Sequence, residues 1–357
     1  MYKRQGEGSP MRARAGRNGR NAKIFPPPQR VAVLRALQVG DLLCAVPALR
    51  ALRSSLPEAR IVLIGLPWAR WFVQRFASYL DDFLELPGFP GLPEREFDHE
   101  MFPAFLAEAH AHRFDLVLQM HGSGALTNPL AALLGAERVA GYHEPGSFCP
   151  DPSLFLETVR GPEPEVRRWV RLVEHVGYRS CGEDLEFPVW EKDRLELRRR
   201  LGSSESSAFI CVHPGGRSAE RRWPADRFAE VADRISGWGF PIVLTGGPGE
   251  EEIGREVAAR MRAPALDTIG KLSLGGLAAL VERAALVVCN DTSVSHIAAA
   301  LRVPSVVITV ASDPGRWAPL DTQRHRIVDG PREDATERVL QEAEYGISGG
   351  GIELKFS

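Results

Sequence analysis

The densest chemistry in the chain lies in LVVCNDTSVSH, residues 286–296, where an apolar run ends in Asn290, Asp291, Thr292 and Ser293 and a helical pattern begins. A buried strand feeding a polar helix start leaves the N–H groups of Thr292, Ser293 and Val294 unpaired beside the positive end of the helix dipole, which suits an anion. His296, about one turn in, adds a charge-assisted hydrogen bond from near the same face. A second anion-suited stretch is HPGGRSAERRWP, residues 213–224. Gly215 and Gly216 free the backbone there, and Arg217, Arg221 and Arg222 offer guanidinium forks for a phosphate or diphosphate. The plainer reading is a solvated basic loop. In TGGPGE, residues 245–250, Gly246 and Gly247 precede Glu250, which either favours a helix dipole or holds ribose hydroxyls. In QVGD, residues 38–41, Gly40 permits a tight turn or a close approach. Asp41 is either a helix N-cap or a carboxylate at a cleft mouth that takes a proton from an attacking hydroxyl.

Other chemistries lack their residues. Neither the turn after residues 31–37 nor TGGPGE reads G-x-G-x-x-G, which weakens a nicotinamide or flavin enzyme. The remaining histidines form no H-x-x-x-H or H-E-x-x-H pair and no D-x-D stands at a strand end, so no catalytic metal and no cofactor is expected. No G-x-S-x-G elbow suggests a hydrolase. Five scattered cysteines (Cys44, Cys149, Cys181, Cys211, Cys289) form no C-x-x-C pair, which fits a reducing compartment.

These residues need elements to hold them, and the chain supplies two runs of them. Strand-like stretches at 31–37, 60–65, 82–86, 115–120 and 138–142 alternate with helical ones at 42–55, 68–78, 100–112 and 126–134. A looser stretch follows over 144–207, with helical segments at 165–176 and 191–201. The rhythm restarts with strands at 209–213, 241–245, 266–269, 286–290 and 305–310, and helices at 225–237, 250–261, 273–284 and 294–301. An amphipathic stretch, 332–344, precedes a loose Gly-rich end. Alternation of this kind implies βαβ units and parallel sheets. The α/β expectation is two doubly wound domains facing a cleft, residues 31–185 and 186–345, with a tail at 346–357. Ligands sit beyond the carboxyl ends of strands in such sheets, which is where the residues above fall.

Composition bounds the partners. Of 357 residues, 44% are hydrophobic and 25% charged, an ordinary globular mix. No run approaches the ~18 apolar residues of a membrane span. Residues 1–30 carry eight Lys/Arg and one acid, a net of +7 within a chain of net charge −2, so the remainder stands at −9. An acidic body does not fit a nucleic-acid binder. The basic segment has almost no apolar residues, ends in three prolines, lacks a signal-peptide core and is expected to be disordered. Met11 is a second candidate start. The location expected is cytoplasmic, with peripheral contact at the inner face of a membrane if the acceptor is lipid-linked.

Several stretches in one order give a specific likeness: VLRALQVGDLLCAVPALRALRSSLPEARI, FDLVLQMHGS, HPGGRSAERRWPADRF, VLTGGPGEEE and NDTSVSHIAAALRVPSV. Over about residues 31–319 the chain resembles glycosyltransferase family 9, the ADP-heptose:lipopolysaccharide heptosyltransferases and relatives. The resemblance implies a GT-B fold of two Rossmann-like domains, acceptor on the first and nucleotide sugar on the second, with inversion at the anomeric carbon and no metal. By position it implies Asp41 as general base, Arg221 on the donor phosphates, Glu250 on the ribose, and Asp291, Thr292, Ser293 and His296 in the donor motif. Gly215, Gly216, Gly246 and Gly247 would form the donor loops, with Gly40 and His121 on the acceptor side. The chain departs from the family pattern in several places. Arg221 replaces a Lys with a planar fork; Ser293 replaces a Gly; Gln119 and His121 replace Asp and Gln. Ala125 stands where some members carry a Lys for acidic sugars, which argues against a Kdo-type acceptor.

The function expected is transfer of a heptose or other sugar from a nucleotide-diphosphate sugar, ADP-heptose favoured, to a lipopolysaccharide-type or other envelope glycan. A sugar-nucleotide epimerase of the same fold and a non-catalytic nucleotide-sugar-binding scaffold are the alternatives.

Overall fold

The computed structural model describes residues 26–159, 161–201 and 208–349. Its first half holds strands β1 (Arg30–Leu34), β2 (Arg60–Gly65), β3 (Asp82–Glu85), β4 (Leu116–Gln119), β5 (Arg138–His143) and β6 (Phe155–Glu157). With them run helices α1 (Val39–Ser55), α2 (Ala69–Arg75), α3 (Phe102–His112), α4 (Thr127–Leu133) and α5 (Glu165–His175). The second half holds α6 (Glu191–Leu201), β7 (Ile210–His213), α7 (Ala225–Gly237), β8 (Ile242–Leu244), α8 (Glu251–Arg260) and β9 (Ala265–Asp267). There follow α9 (Leu274–Arg283), β10 (Leu286–Asn290), α10 (Ser293–Ala300), β11 (Ser305–Thr309), α11 (Pro314–Trp317), β12 (His325–Asp329) and α12 (Ala335–Gly349).

The sheets order as β3-β2-β1-β4-β5-β6 and β12-β11-β10-β7-β8-β9, and every pairing is parallel. Numbered within its own half, each sheet therefore reads 3-2-1-4-5-6, the doubly wound order with its switch point between the first and fourth strands. The central strands are buried, as in VAVL of β1 after the exposed Arg30 and LVVCN of β10, because helices cover both faces.

Two apolar clusters form the interior. One lies on the second sheet under α7 and α12. The other runs through both halves and joins Leu42 and Leu43 of α1 to Val294 and Ile297 of α10, helices that pack on each other. A charged clasp adds to this contact. Arg75 of α2 donates to Asp193 of α6 at 2.5 and 3.1 Å and lies 4.0 Å from the Trp190 ring. On the far side of the clasp α6 packs on α9, where a Cβ on Gly275 would come within 2.2 Å of Asp193 Oδ1.

The structure changes several expectations. Strands β6 and β12 and helix α11 are absent from the sequence reading; all are short, and the two strands are sheet edges that carry little apolar signal. The basic segment was expected to be disordered through residue 30. Residues 1–25 lie outside the described residues, but Gln29 and Arg30 both donate their N–H groups to Asp115 Oδ2, at 2.6 and 2.8 Å, and Arg30 opens β1. A loose tail is expected from residue 346, but α12 continues to Gly349 and buries Ile347 in the second core; residues 350–357 lie outside the described residues.

Candidate active site

An open cavity lies between the carboxyl ends of the two sheets. Its first-half wall is Gln38, Val39, Gly40 and Asp41, which follow β1. Its second-half wall comes from the loops after β7, β8 and β10, with Gly216, Arg217, Arg221, Gly247, Glu250, Asp291, Thr292, Ser293 and His296 among them. The two switch points thus face each other. Gly215, Gly246 and His121, candidates from the sequence, do not line it.

Asp41 is not the N-cap of α1. Gln38, in extended conformation, holds that position, and Asp41 sits at the third helical residue, where its Oδ2 accepts from Gln38 N–H at 3.2 Å. Its carboxylate is half-buried at the cavity edge. Gly40 also differs from expectation. Its φ is not in the left-handed region; what approaches closely is the other half of the protein. A Cβ at this position would lie 2.8 Å from His296 Cδ2 and 3.4 Å from Ser293 Cα.

The loop after β10 is organised by Asn290, which the sequence reading passed over. This buried side chain donates to the carbonyls of Pro214 and Gly215 at 2.9 and 3.0 Å, and its Oδ1 accepts from Trp223 N–H at 2.9 Å. One amide thereby fixes the Arg-rich loop beside the start of α10. Asp291, almost fully buried, accepts from Arg221 at 3.2 Å. Arg222 turns inward to the Gly216 carbonyl at 2.7 Å, while Arg217 stands exposed on the cavity wall. Thr292 is the N-cap of α10, yet its Oγ1 is buried without a partner. With the open N–H groups of the first turn, that oxygen completes a polar cradle.

His296 is 5% exposed, with Nδ1 at 3.7 Å from Cys44 Sγ. Burial pushes its pKa below the usual histidine value, against the opposing pull of Asp291, Asp41 and Glu165. Burial therefore favours the neutral ring in the protein alone, because the desolvation cost of a buried cation outweighs the nearby carboxylates; the charged hydrogen bond expected from the sequence needs an anion beside the ring. Burial likewise raises the Cys44 thiol well above its ordinary range, so it is no nucleophile.

Glu250 is the N-cap residue of α8, and its Oε2 accepts from Gly247 N–H at 2.7 Å. Gly215 and Gly246 make room for it: a Cβ on Gly215 would meet the Glu250 carboxyl at 2.3 Å, and one on Gly246 would meet Ile269 at 2.7 Å. Their glycines serve the packing behind the wall. His213, its pKa lowered by burial, holds Thr245 Oγ1 at 3.0 Å from Nδ1 and lies with Nε2 3.7 Å from Glu250.

His121, expected on the acceptor side, is 3% exposed just after β4 and does not line the cavity. Its Nδ1 accepts from Ala36 N–H at 3.2 Å and its Nε2 lies 3.6 Å from Glu94 Oε1, so both ring nitrogens are engaged internally. The Glu94 carboxyl, despite burial, is held below the usual range by His121 and by the charge of Arg217. A second, smaller cavity borders His296 and is lined also by Cys44, Glu165 and Arg316. Among the described residues, no three His, Cys, Asp or Glu side chains are grouped to hold a metal ion, and no helix is long and apolar enough to cross a membrane.

The geometry has known counterparts. The family pattern described as Glycosyltransferase family 9 (heptosyltransferase) matches residues 105–347, a stretch that begins after Asp41. Lipopolysaccharide heptosyltransferase 1 of Escherichia coli (strain K12) is 32% identical over 309 residues, covering 80% of this chain and 89% of that protein. The glycosyl transferase family 9 structure from Veillonella parvula DSM 2008 superposes with a TM-score of 0.74 at 21% identity, over 90% of this chain and 98% of that one. The E. coli ADP-heptose lps heptosyltransferase II superposes at 0.70 and 20% identity, over 90% and 100%. Both are similar in fold, two doubly wound sheets across a cleft in the GT-B manner. With the family pattern matched over more than half of the chain and a relative 32% identical that covers 80% of it, the chain belongs to glycosyltransferase family 9 and is a heptosyltransferase-like glycosyltransferase.

Proposed function

We propose that the protein transfers heptose from ADP-heptose to a hydroxyl of a lipopolysaccharide-type envelope glycan, with inversion and without a metal ion. The carrying observation is that Asp41 and the first turn of α10 line one cavity from opposite halves. The names of the relatives supply the donor and the acceptor class. Asp41 takes the proton of the acceptor hydroxyl as its oxygen attacks the anomeric carbon, a role worth roughly 10²–10⁴-fold. The departing diphosphate gains negative charge. Arg217 and Arg221, the N–H groups at the start of α10 and Thr292 Oγ1 face the place where that charge develops. Glu250, fixed by Gly247, takes the ribose hydroxyls. The cytoplasm, where sugar nucleotides are made, is the proposed location, with peripheral membrane contact through the acceptor.

The test is calorimetry of ADP, GDP, UDP and ADP-heptose with chelator present, on wild type and His296→Ala, followed by transfer to heptose-free lipopolysaccharide. Metal-independent ADP binding that weakens in the variant, with a heptosylated product, supports the reading. Preference for another base moves the donor, and absence of binding to all four overturns the donor site.

A further inference from the structure

A buried charged chain runs beneath Asp41 and reaches the other half of the protein. Arg35, the first residue after β1, is fully buried although it interrupts an apolar run. Its Nε and Nη2 both donate to the backbone carbonyl of Asp41, at 2.9 and 2.7 Å, and its Nη1 donates to the Met120 carbonyl at the end of β4. Its guanidinium lies 4.7 Å from the Trp169 ring. Nη2 also donates to Glu165 Oε1 at 3.1 Å, and that oxygen accepts from Trp169 Nε1 at 2.9 Å. Glu165 is as buried as Arg35, and its second oxygen accepts from Arg316 Nε at 2.9 Å. Arg316 stands on α11, beyond β11 of the second sheet. Burial opposes ionisation of Glu165, but the two guanidinium groups outweigh it and keep the carboxyl below its usual range.

Each link has a physical consequence for the next. A buried carboxylate between two cations holds both in fixed geometry, since moving either leaves charge uncompensated in a low-dielectric interior. A planar fork on one carbonyl fixes the peptide's orientation more tightly than a point charge would. The Asp41 carbonyl belongs to the same residue as the carboxylate at the cavity edge, so orienting the first orients the second.

We propose that Arg35 and Glu165 are positioning residues that tie the placement of Asp41 to the placement of the second half through Arg316. The catalytic consequence rests on the reading of Asp41 as the base; the mechanical one does not. When a donor shifts the second half against the first, Arg316 carries that shift to the turn that bears Asp41.

The experiment uses the full chain with Arg316→Ala and Arg316→Lys, changes at a partly exposed side chain that spare the buried pair. Amide hydrogen exchange of residues 39–45 is measured without substrate. Exchange at least fivefold faster in Arg316→Ala, restored within twofold by Arg316→Lys, supports the chain of contacts. Exchange unchanged in Arg316→Ala overturns it, whether or not the protein transfers sugar. In the transfer assay, Arg316→Ala is expected to lower kcat about tenfold or more with the KM for ADP-heptose within threefold, and Arg316→Lys to recover most of it. A raised KM with unchanged kcat overturns the positioning role and places Arg316 in donor binding. A wild type that binds no nucleotide counts against the proposed function alone, because the exchange measurement still decides the coupling.

Discussion

The side chain that Gly40 lacks would occupy space taken by His296: its Cβ would lie 2.8 Å from the imidazole Cδ2. The two residues belong to opposite halves of the cleft, so the start of α1 and the first turn of α10 meet in direct contact. Gly40→Ala therefore inserts a wedge between the halves. A destabilisation of about 1–3 kcal/mol is expected from overpacking, read from urea unfolding, with at least a tenfold loss of turnover. Wild-type values for both would show that the contact opens freely.

His296 is neutral in the protein alone because burial depresses its pKa. A nucleoside diphosphate brings negative charge beside it and favours the protonated ring. Proton uptake should therefore accompany nucleotide binding, and affinity should rise as pH is lowered through the neutral range. Calorimetry in buffers of different ionisation enthalpy measures the uptake. His296→Ala should abolish most of it, and a proton count near zero in wild type would refute the assignment.

Asp41→Asn keeps size and the capping geometry while removing the base. Transfer should fall by roughly 10²–10⁴-fold, with the dissociation constant for ADP within threefold of wild type. A variant that retains turnover would assign proton abstraction to another group.

Asn290 joins three backbone groups: Trp223 N–H and the carbonyls of Pro214 and Gly215. Asn290→Ala should cost about 3 kcal/mol or more, since buried polar groups left unpaired lose about 1–3 kcal/mol each. Because the amide fixes the Arg-rich loop, ADP affinity should fall with stability. Urea midpoints and calorimetry on the same sample separate the two effects, and intact stability would contradict the bonding described.

His325 is buried against Ser305, with Nδ1 2.9 Å from Oγ, and its pKa is lowered from 6.5 to about 4. The unfolded chain binds this proton more readily than the folded one, so the contribution to stability is present above pH 6.5. It is lost as pH falls from there to about 4, by about 3 kcal/mol at most. Stability curves of wild type and His325→Gln over that interval should converge toward the acid end. Parallel curves would place the acid sensitivity elsewhere.

The sequence exposed the cavity wall better than its supports. Asp41, Arg221, Glu250 and the Asp291–His296 stretch stand at strand ends, where polar residues interrupt apolar runs, and the structure places all of them on one cavity. Arg35 carried a signal of the same kind, a charge inside VAVLRAL, but a guanidinium bonded to a carbonyl six residues on leaves no pattern in spacing. Glu165 and Arg316 are separated by 151 positions and meet only through tertiary packing. The family resemblance places His121 on the acceptor side; just beyond β4 its Nδ1 accepts from Ala36 N–H and its Nε2 faces Glu94, contacts that sequence spacing does not show. The edge strands β6 and β12 escaped notice because three to five residues with charged members read as loop.

The continuous interior from α1 to α10 limits how such a molecule can be recombined. A chimaera that took its first half from one family member and its second from another would have to match the apolar faces of both helices, the Gly40 gap and the Arg75–Asp193 clasp together. Exchange of donor preference by swapping whole halves is thus penalised by packing, whereas grafting the loops after β7 and β8 leaves those seams intact.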